Sequence, residues 1–273
     1  MSNTISKPRL FQVETLKFEI HDSRESAGRA AALAAAIEMR LRTQNGLDLG
    51  VIFATGASQL CTLHALTSLP DLPWEKIFGF HMDEYLDLKP DHFASFRRYL
   101  REQLTERVPI KEFYEIDGSS VDPEAVCKAY AARLKAVGPR LCLLGVGENG
   151  HLAFNDPCDA DFNDPRDVRI ATLDNVCREQ QVAEGWFPSL ETVPARAITL
   201  TIPTLFRVPK LIVSVPGSRK AKIVRRLIED EISTACPATL LRTHPDATVY
   251  LDNESSVELS DLLAMPTSSV SSR

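Results

Sequence analysis

Short apolar segments alternate with helix-like segments along most of this chain, and no other sequence feature constrains its fold as strongly. The apolar segments predict strands at residues 49–54, 76–81, 113–116, 140–144, 196–202 and 210–215. Helical periodicity falls between them, at residues 22–42, 60–69, 95–106, 122–137 and 219–229. Short buried strands that alternate with helices are typical of an α/β fold. We therefore predict a single-domain, mainly parallel, Rossmann-like sheet with helices on both faces.

The first predicted helix has both a start signal and an apolar stripe. Asp22 precedes Glu25 by three positions, which resembles a capping box. Leu33, Ile37 and Leu41 then recur at a spacing of four residues, which places them on one side of a helix. The pattern predicts an amphipathic helix with these three side chains on its apolar face.

The predicted domain organisation is simple. The 273 residues contain no long linker and no internal repeat, so we predict one domain over residues 1–264. Residues 155–200 do not follow the strand–helix alternation, and irregular or antiparallel structure is expected there. The Ser-rich segment 265–273 is predicted to be a disordered tail.

Charge and cysteine content argue against several classes of function. With 31 Lys and Arg against 37 Asp and Glu, the formal net charge is −6, which disfavours nucleic acids and anionic membranes as partners. The sequence lacks an apolar run long enough to span a bilayer, and it lacks an N-terminal secretory signal. Its six cysteines are scattered and form no C-x-x-C pair. We therefore expect a cytoplasmic protein with free thiols.

Two segments that follow predicted strands have the features of an anion site. Residues 55–58 combine hydroxyl groups with a glycine at the entrance of a helix, where backbone N–H groups are free to bind phosphate. Residues 216–218 lead into another helix, and Lys220 lies in its first turn. The helix dipole disfavours a lysine there unless an anionic ligand is bound. An ordinary turn and a solvated lysine remain the alternatives.

Two other segments carry acid–base groups. Asp83 and Glu84 follow a predicted strand, where such carboxylates are either a catalytic base or helix-capping groups. Residues 145–151 match G-x-G-x-x-G and end in His151. The Asn-Asp-Pro sequence at 155–157 stops the helix that a dinucleotide-binding motif needs, so acid–base chemistry fits this segment better. The H-x-D-E spacing of residues 81–84 is not specific for a metal site.

Together these segments indicate an enzyme that acts on a small phosphorylated substrate without an obligatory cofactor or metal. Ligands of parallel α/β sheets bind beyond the carboxyl ends of the strands, and these segments are all predicted to lie there. The residue pattern alone does not identify the reaction.

Several motifs resemble the glucosamine-6-phosphate deaminase (isomerase) family. They are ATGASQL (54–60), FHMDEYLDL (80–88), LLGVGENGHLAFNDP (143–157), RAITLTIPTL (196–205), VPGSRKA (215–221) and LRTHPDATVYLD (241–252). The likeness extends over nearly the whole chain. The related 6-phosphogluconolactonases share a similar G-x-G-x-x-GH loop but lack the MDEY motif and the continuation after His151.

The resemblance implies conversion of glucosamine 6-phosphate and water to fructose 6-phosphate and ammonium, without a cofactor, in amino-sugar catabolism. By the family's motifs, Asp83 is the base that moves a proton between C2 and C1 of the open-chain sugar. His151 opens the pyranose ring, and Asn149 and Asp156 complete the catalytic set. The phosphate is assigned to Thr55, Gly56, Ala57, Ser58 and Lys220, and further substrate contacts to Glu84, Gly147, Gly150, Arg178 and Gln181.

Three positions depart from the family's pattern. Asn149 stands where many members have Asp, Asp156 is one methylene shorter than the usual Glu, and Gln181 stands where the phosphate-binding Arg aligns. Arg178 is a substitute cation on a different turn. A deaminase is the leading hypothesis. The alternatives are a 6-phosphogluconolactonase, a deaminase or isomerase for another sugar phosphate, and a non-catalytic sugar-phosphate sensor. The sequence leaves open whether the chain forms a homo-oligomer.

Overall fold

The computed structural model describes residues 7–263, so the predicted tail at 265–273 lies outside the described residues. The strands are β1 (Arg9–Val13), β2 (Leu16–His21), β3 (Leu49–Phe53), β4 (Ile77–His81), β5 (Asp83–Tyr85), β6 (Glu112–Tyr114), β7 (Leu141–Gly145), β8 (Val168–Thr172), β9 (Arg196–Leu200), β10 (Lys210–Ser214) and β11 (Ala247–Asp252). The α-helices are α1 (Arg24–Thr43), α2 (Leu60–Ser68), α3 (Phe96–Leu100), α4 (Pro123–Val137), α5 (Asn175–Ala183), α6 (Ile202–Phe206), α7 (Ala221–Glu229) and α8 (Ser260–Leu263). In this part of the chain, the helices fall short of the length and apolar character needed to cross a membrane.

The main sheet has eight strands in the order β1-β2-β11-β10-β7-β3-β4-β6. In this spatial order, the seven strands β2-β11-β10-β7-β3-β4-β6 each lie parallel to their neighbours. Strands β1 and β2 form an antiparallel hairpin at one edge. The predicted α/β fold with a mainly parallel sheet is confirmed.

Helices cover both sides of this sheet, as predicted, and the central strands are therefore buried on both faces. In β7, Leu141 and Leu143 face the layer that contains α1, α2 and α3, whereas Cys142 and Leu144 face the layer that contains α4 and α7. Successive side chains of a strand point to opposite faces, so a strand between two helical layers is apolar at nearly every position. This arrangement explains the continuous apolar segments of the sequence.

Helix α1 differs from its prediction. Leu33, Ile37 and Leu41 are 51%, 55% and 53% exposed, so the predicted apolar face points to solvent. The buried positions are mainly small residues: Ala27, Gly28, Ala31, Ala32, Ala35, Ala36, Met39 and Thr43. Small side chains let α1 lie close to α2, because a Cβ at Gly28 would come within 2.6 Å of Cβ of Cys61. Close approach of the backbones therefore decides which face of α1 is buried. The helix is capped by Ser23, with Ser26 as its partner, rather than by Asp22 and Glu25.

A second, three-stranded sheet has the order β5-β9-β8 and is antiparallel. The antiparallel structure expected within residues 155–200 is confirmed by β8 and β9. The strand predicted at 196–202 exists as β9, but it belongs to this small sheet rather than to the parallel one. The sequence analysis did not assign β1, β2, β5 or β11. Strand β5 is the important omission, because it begins at Asp83.

Candidate active site

An open cavity of about 250 Å³ lies beyond the carboxyl ends of β3, β4, β7 and β10. Residues 54–58, 82–83, 145–148 and 216–220 line it, together with residues of the segment after β7 and of α5. Because the carboxyl ends of parallel strands meet at one edge of the sheet, segments that are distant in sequence become neighbours there. The structure thus brings together the four segments that the sequence analysis placed at this edge.

Asp83 lies at the start of β5 and lines the cavity, although its surface is only 6% exposed. Burial raises the pKa of its carboxyl to about 8, and the charge of neighbouring Glu84 adds to this shift. A desolvated carboxylate is a stronger base than one in water. Asp83 therefore has the position and the electrostatics of a general base.

Glu84, which we predicted to contact the substrate, has a different position. It does not line the cavity, and its carboxylate accepts hydrogen bonds from the backbone N–H groups of Phe96 and Arg97 at 3.2 and 2.9 Å. It also accepts one from the Ser95 hydroxyl at 2.9 Å. These groups belong to the N-terminal turn of α3 and its capping residue, so Glu84 is a helix-capping group and not a substrate ligand.

His151 and Asp156 form an acid–base pair at the cavity wall. Nδ1 of His151 lies 3.0 Å from Oδ1 of Asp156, whose side chain is fully buried. Burial alone would raise the pKa of Asp156. The contact with His151 and the hydrogen bonds from Asn149 and from the Asp174 backbone outweigh it and lower that pKa. The Asp side chain thus reaches the imidazole despite being shorter than Glu. Because Nδ1 faces this carboxylate, Nε2 is the ring nitrogen left for a substrate.

The segment 145–151 is a tight turn that holds the imidazole. A Cβ at Gly147 would lie 2.2 Å from Cε1 of His151, so only a glycine leaves room for the ring. The Gly147 N–H donates to the carbonyl of His151, which closes the turn. Gly150, predicted as a substrate contact, is not among the cavity-lining residues, and its carbonyl accepts a hydrogen bond from the N–H of Ala238. Gly150 anchors the turn to the rest of the fold.

Asn149 was predicted as part of the catalytic set, but it is not among the residues that line the cavity. Its Nδ2 donates to Asp156 and to Asp174, both at 3.0 Å, and its Oδ1 accepts from the backbone N–H of His151. Asp174 in turn caps α5 by accepting from the N–H of Cys177. Asn149 therefore positions the His151–Asp156 pair and joins it to the start of α5.

One group of side chains near the cavity has the composition of a metal site. Ligand atoms of His151, Asp156 and Cys177 lie within 4.8 Å of one another. Burial, together with the charges of Asp156 and Asp174, raises the pKa of the Cys177 thiol well above its ordinary value. Metals bind the thiolate form of cysteine. The raised pKa instead favours a protonated thiol that donates a hydrogen bond to Asp156.

Both predicted anion-binding segments line the cavity. Thr55, Gly56, Ala57 and Ser58 belong to the first, and the carbonyl of Gly56 is held by the hydroxyl of Tyr99 at 2.9 Å. Lys220 belongs to the second, and its Nζ donates to the carbonyl of Val146 at 2.8 Å. Burial lowers the pKa of Lys220. A bound phosphate would offset this desolvation.

Two predicted phosphate contacts on α5 have different outcomes. Gln181 lines the cavity together with its neighbour Gln180. Arg178 does not: its guanidinium donates to the carbonyls of Leu190 and Val193 at 2.7 and 3.0 Å. The prediction that Arg178 takes the place of the family's phosphate-binding arginine is therefore wrong. Its side chain binds the segment after α5 and is directed away from the cavity.

Four charged residues of the cavity were missed by the sequence analysis. Arg219 forms an ion pair with Glu148 at 2.6 Å, and both line the cavity with Glu184 and Arg24. Glu148 and Arg219 lie inside motifs that had been singled out, so their position was accessible. For Arg24, the available signal was a cation on the first turn of a helix, the same signal that drew attention to Lys220.

Comparisons with known proteins agree with this geometry. The profile of the family described as "Glucosamine-6-phosphate isomerases/6-phosphogluconolactonase" matches residues 22–250. A glucosamine-6-phosphate deaminase of Exiguobacterium sibiricum is 34% identical over 228 residues, which are 81% of this chain and 84% of that protein. One of Bacillus cereus (strain B4264) is also 34% identical, over 84% of each chain.

Solved structures extend the comparison. A structure described as a monomeric glucosamine-6-phosphate deaminase aligns with a TM-score of 0.80 and 28% identity, over 88% of this chain and 99% of that one. The 6-phosphogluconolactonase from Trypanosoma brucei aligns with a TM-score of 0.72 over 92% of this chain and 100% of that one. Its identity of 20% shows a shared fold and no more.

Proposed function

Because this chain belongs to the glucosamine-6-phosphate isomerase/6-phosphogluconolactonase family, we propose that it converts glucosamine 6-phosphate and water to fructose 6-phosphate and ammonium. The observation that carries the proposal is that a buried carboxyl, Asp83, and an imidazole paired with a carboxylate, His151, line one cavity with two anion-binding segments. The identity of 34% to curated deaminases supports the same reaction.

The first step is opening of the pyranose ring. Nε2 of His151 takes a proton from the anomeric hydroxyl and returns one to the ring oxygen, so that the C1–O5 bond breaks and the open-chain aldehyde forms. Histidine suits a step in which one group takes and gives a proton. Asp156 holds Nδ1 and stabilises the imidazolium between the two transfers.

The second step is proton transfer between C2 and C1. Asp83 removes the C2 proton of the aldehyde while a solvent proton is added to the C1 oxygen, which gives an enolamine. The protonated carboxyl then delivers its proton to C1, and the nitrogen lone pair forms the C2=N bond of an iminium ion. Water adds to C2, a proton passes from that water to the nitrogen, and the C2–N bond breaks to release ammonium and leave the ketose. A base of raised pKa suits a weakly acidic carbon. The phosphate, held by residues 55–58 and Lys220, keeps the sugar aligned through both steps.

The proposal includes the setting of the reaction. We place the enzyme in the cytoplasm, which is supported by its six free cysteines. One chain supplies the base, the acid–base pair and both anion-binding segments, so a monomer is sufficient for the chemistry. A homo-oligomer, which the sequence left open, is not needed to complete the cavity.

The direct test is ammonia release from glucosamine 6-phosphate by the purified protein without added metal, with Asp83→Asn as the matched control. Asparagine preserves the shape of the side chain but cannot accept the C2 proton. We expect release by the wild type and a loss of about 10²–10⁴-fold in kcat for Asp83→Asn, with an unchanged circular dichroism spectrum.

The same assay separates the alternatives. Hydrolysis of 6-phosphogluconolactone without ammonia release would select the lactonase, and turnover of a different hexosamine phosphate would change the substrate. Saturable binding of sugar phosphates without turnover would select the sensor. Near-wild-type activity of Asp83→Asn would contradict the role given to that residue.

A further inference from the structure

We propose that Arg24, on the first turn of α1, is a phosphate-binding residue of the cavity and acts beside Lys220. The proposal rests on the proposed function for the nature of the ligand, a sugar phosphate. Arg24 precedes the first anion-binding segment by about thirty positions and belongs to none of the motifs. It nevertheless lines the same cavity.

The position of Arg24 is at the junction of the two anion-binding segments. A narrow cleft beside the cavity brings Arg24 together with Ser58 of the first segment and Pro216 of the second. Its guanidinium also borders Gly217, since a Cβ built there would lie 2.5 Å from Nη2 of Arg24. A phosphate bound between the two segments would therefore lie within reach of this side chain.

The guanidinium of Arg24 is available for a ligand. Within residues 7–263, this guanidinium has no hydrogen-bond or ion-pair partner, whereas the other two cations of the cavity each have one. Arg219 is paired with Glu148 at 2.6 Å, and Nζ of Lys220 donates to the carbonyl of Val146 at 2.8 Å. Arginine presents a planar fork of N–H groups that matches two oxygens of a phosphate.

The charges of the cavity point to the same residue. Its carboxyl groups belong to Asp83, Glu148 and Glu184, and its cations besides Arg24 are Arg219 and Lys220. Glu148 offsets Arg219, and Nζ of Lys220 already donates to the carbonyl of Val146. Arg24 is thus the cavity-lining cation whose N–H groups have no partner among the described residues.

The fold holds Arg24 in this position at a local cost. The helix dipole disfavours a cation on the first turn of α1, and an anion in front of the guanidinium would reverse that effect. The capping box of Ser23 and Ser26 fixes where the helix begins. The close contact of Gly28 with Cys61 then fixes α1 against α2, the helix that follows residues 55–58. The side chain of Arg24 is thus held beside the first anion-binding segment.

Binding of inorganic phosphate, measured by titration calorimetry, tests the proposal without requiring turnover. We expect Arg24→Ala to raise the Kd for phosphate about 10-fold, the size of one charge-assisted contact. Arg24→Lys keeps the charge but loses the fork, and an intermediate Kd is expected. Arg29→Ala is the matched control, since Arg29 is an exposed cation of the same helix that does not line the cavity. Its Kd should stay within about twofold of the wild type.

Kinetics with glucosamine 6-phosphate give an independent readout. A residue that holds the phosphate equally in the ground and transition states changes KM and leaves kcat nearly unchanged, so we expect Arg24→Ala to raise KM about 10-fold. Unchanged Kd and KM in Arg24→Ala would overturn the inference and leave the proposed function standing. If the wild type releases no ammonia but Arg24→Ala weakens phosphate binding, the proposed function is overturned and the inference stands. Absence of phosphate binding by the wild type would also overturn the inference.

Discussion

Asp83 and Glu84 are neighbours in sequence and have opposite environments, because successive residues of a strand point to opposite faces. Asp83 faces the cavity, where few groups solvate its carboxyl. Glu84 faces the N-terminal turn of α3 and accepts hydrogen bonds from it. A catalytic base and a helix cap were alternative interpretations of this pair, and the structure assigns one position to each residue. The adjacency still matters, since the charge of Glu84 contributes to the raised pKa of Asp83.

The raised pKa of Asp83 predicts the pH dependence of the reaction. The pKa of its carboxyl is about 8, and the group accepts a proton only when it is ionised. We therefore expect kcat/KM to rise with pH, about tenfold per unit below pH 8, and to level off above it, since kcat/KM reports the ionisation of the free enzyme. The measurement is the pH profile of ammonia release.

A control is needed because an amino group on a sugar also ionises near pH 8. Glu84→Gln removes the neighbouring charge and should lower the pKa of Asp83, so the rising limb should move to lower pH. An ionisation of the substrate would not move with this substitution. If the rising limb of the pH profile lies at the same pH in both enzymes, the ionisation belongs to a group other than Asp83. The circular dichroism spectrum checks that α3 survives the change of its cap.

At the scale of elements, the cavity depends on how α5 is attached to the segment after β7. Asn149 donates to Asp156 and to Asp174, and Asp174 caps α5. A neutral amide is needed at this point because it lies between two carboxylates. The amide of Asn149 is thus matched to its surroundings in this chain, and its role is to position His151 and Asp156.

The substitution Asn149→Asp should therefore be destabilising. It removes two hydrogen bonds and places three carboxylates together, and we expect a loss of about 2–4 kcal/mol in the free energy of unfolding near pH 7. The pKa of the introduced carboxyl would be raised in the folded state. The loss should therefore be small below about pH 4 and grow as the pH rises. Urea denaturation at several pH values measures it.

Two further variants test the explanation. Asn163→Asp makes the same change of charge at an exposed position, and it should alter the stability by less than about 0.5 kcal/mol. Adding Asp174→Asn to Asn149→Asp restores a donor opposite the new carboxylate, and asparagine still caps a helix. The double variant should recover more than half of the lost stability. Purely additive losses would contradict the direct contact of these residues.

For the whole molecule, the sequence predicted the parallel sheet and the edge where the cavity lies, because buried strands and the segments after them have local signatures. Tertiary contacts decided the rest. The exposed Leu33 and the buried Ala35 of α1 have positions set by close helix packing, not by hydrophobicity. Arg178 and Gln181 lie on one helix, but Arg178 donates to carbonyls of the segment that follows the helix, whereas Gln181 lines the cavity. Arg24 reaches the cavity through the packing of α1 on α2. The local signal, a cation on the first turn of a helix, does not indicate where that packing places the side chain.

The cavity joins segments from residue 24 to residue 220, so a ligand should stabilise the whole chain. A ligand that binds only the folded state adds about 2.7 kcal/mol at 100 times its Kd, which is roughly 5–10 °C in Tm for a domain of this size. We expect that shift for Asp83→Asn with glucosamine 6-phosphate, because this variant binds the substrate without consuming it. Glucosamine at the same concentration is the control and should shift Tm by less than about 2 °C, since most of the contacts proposed here are made to phosphate. Equal shifts would mean that the sugar is recognised without its phosphate, and the assignment of residues 55–58 and Lys220 would then be wrong.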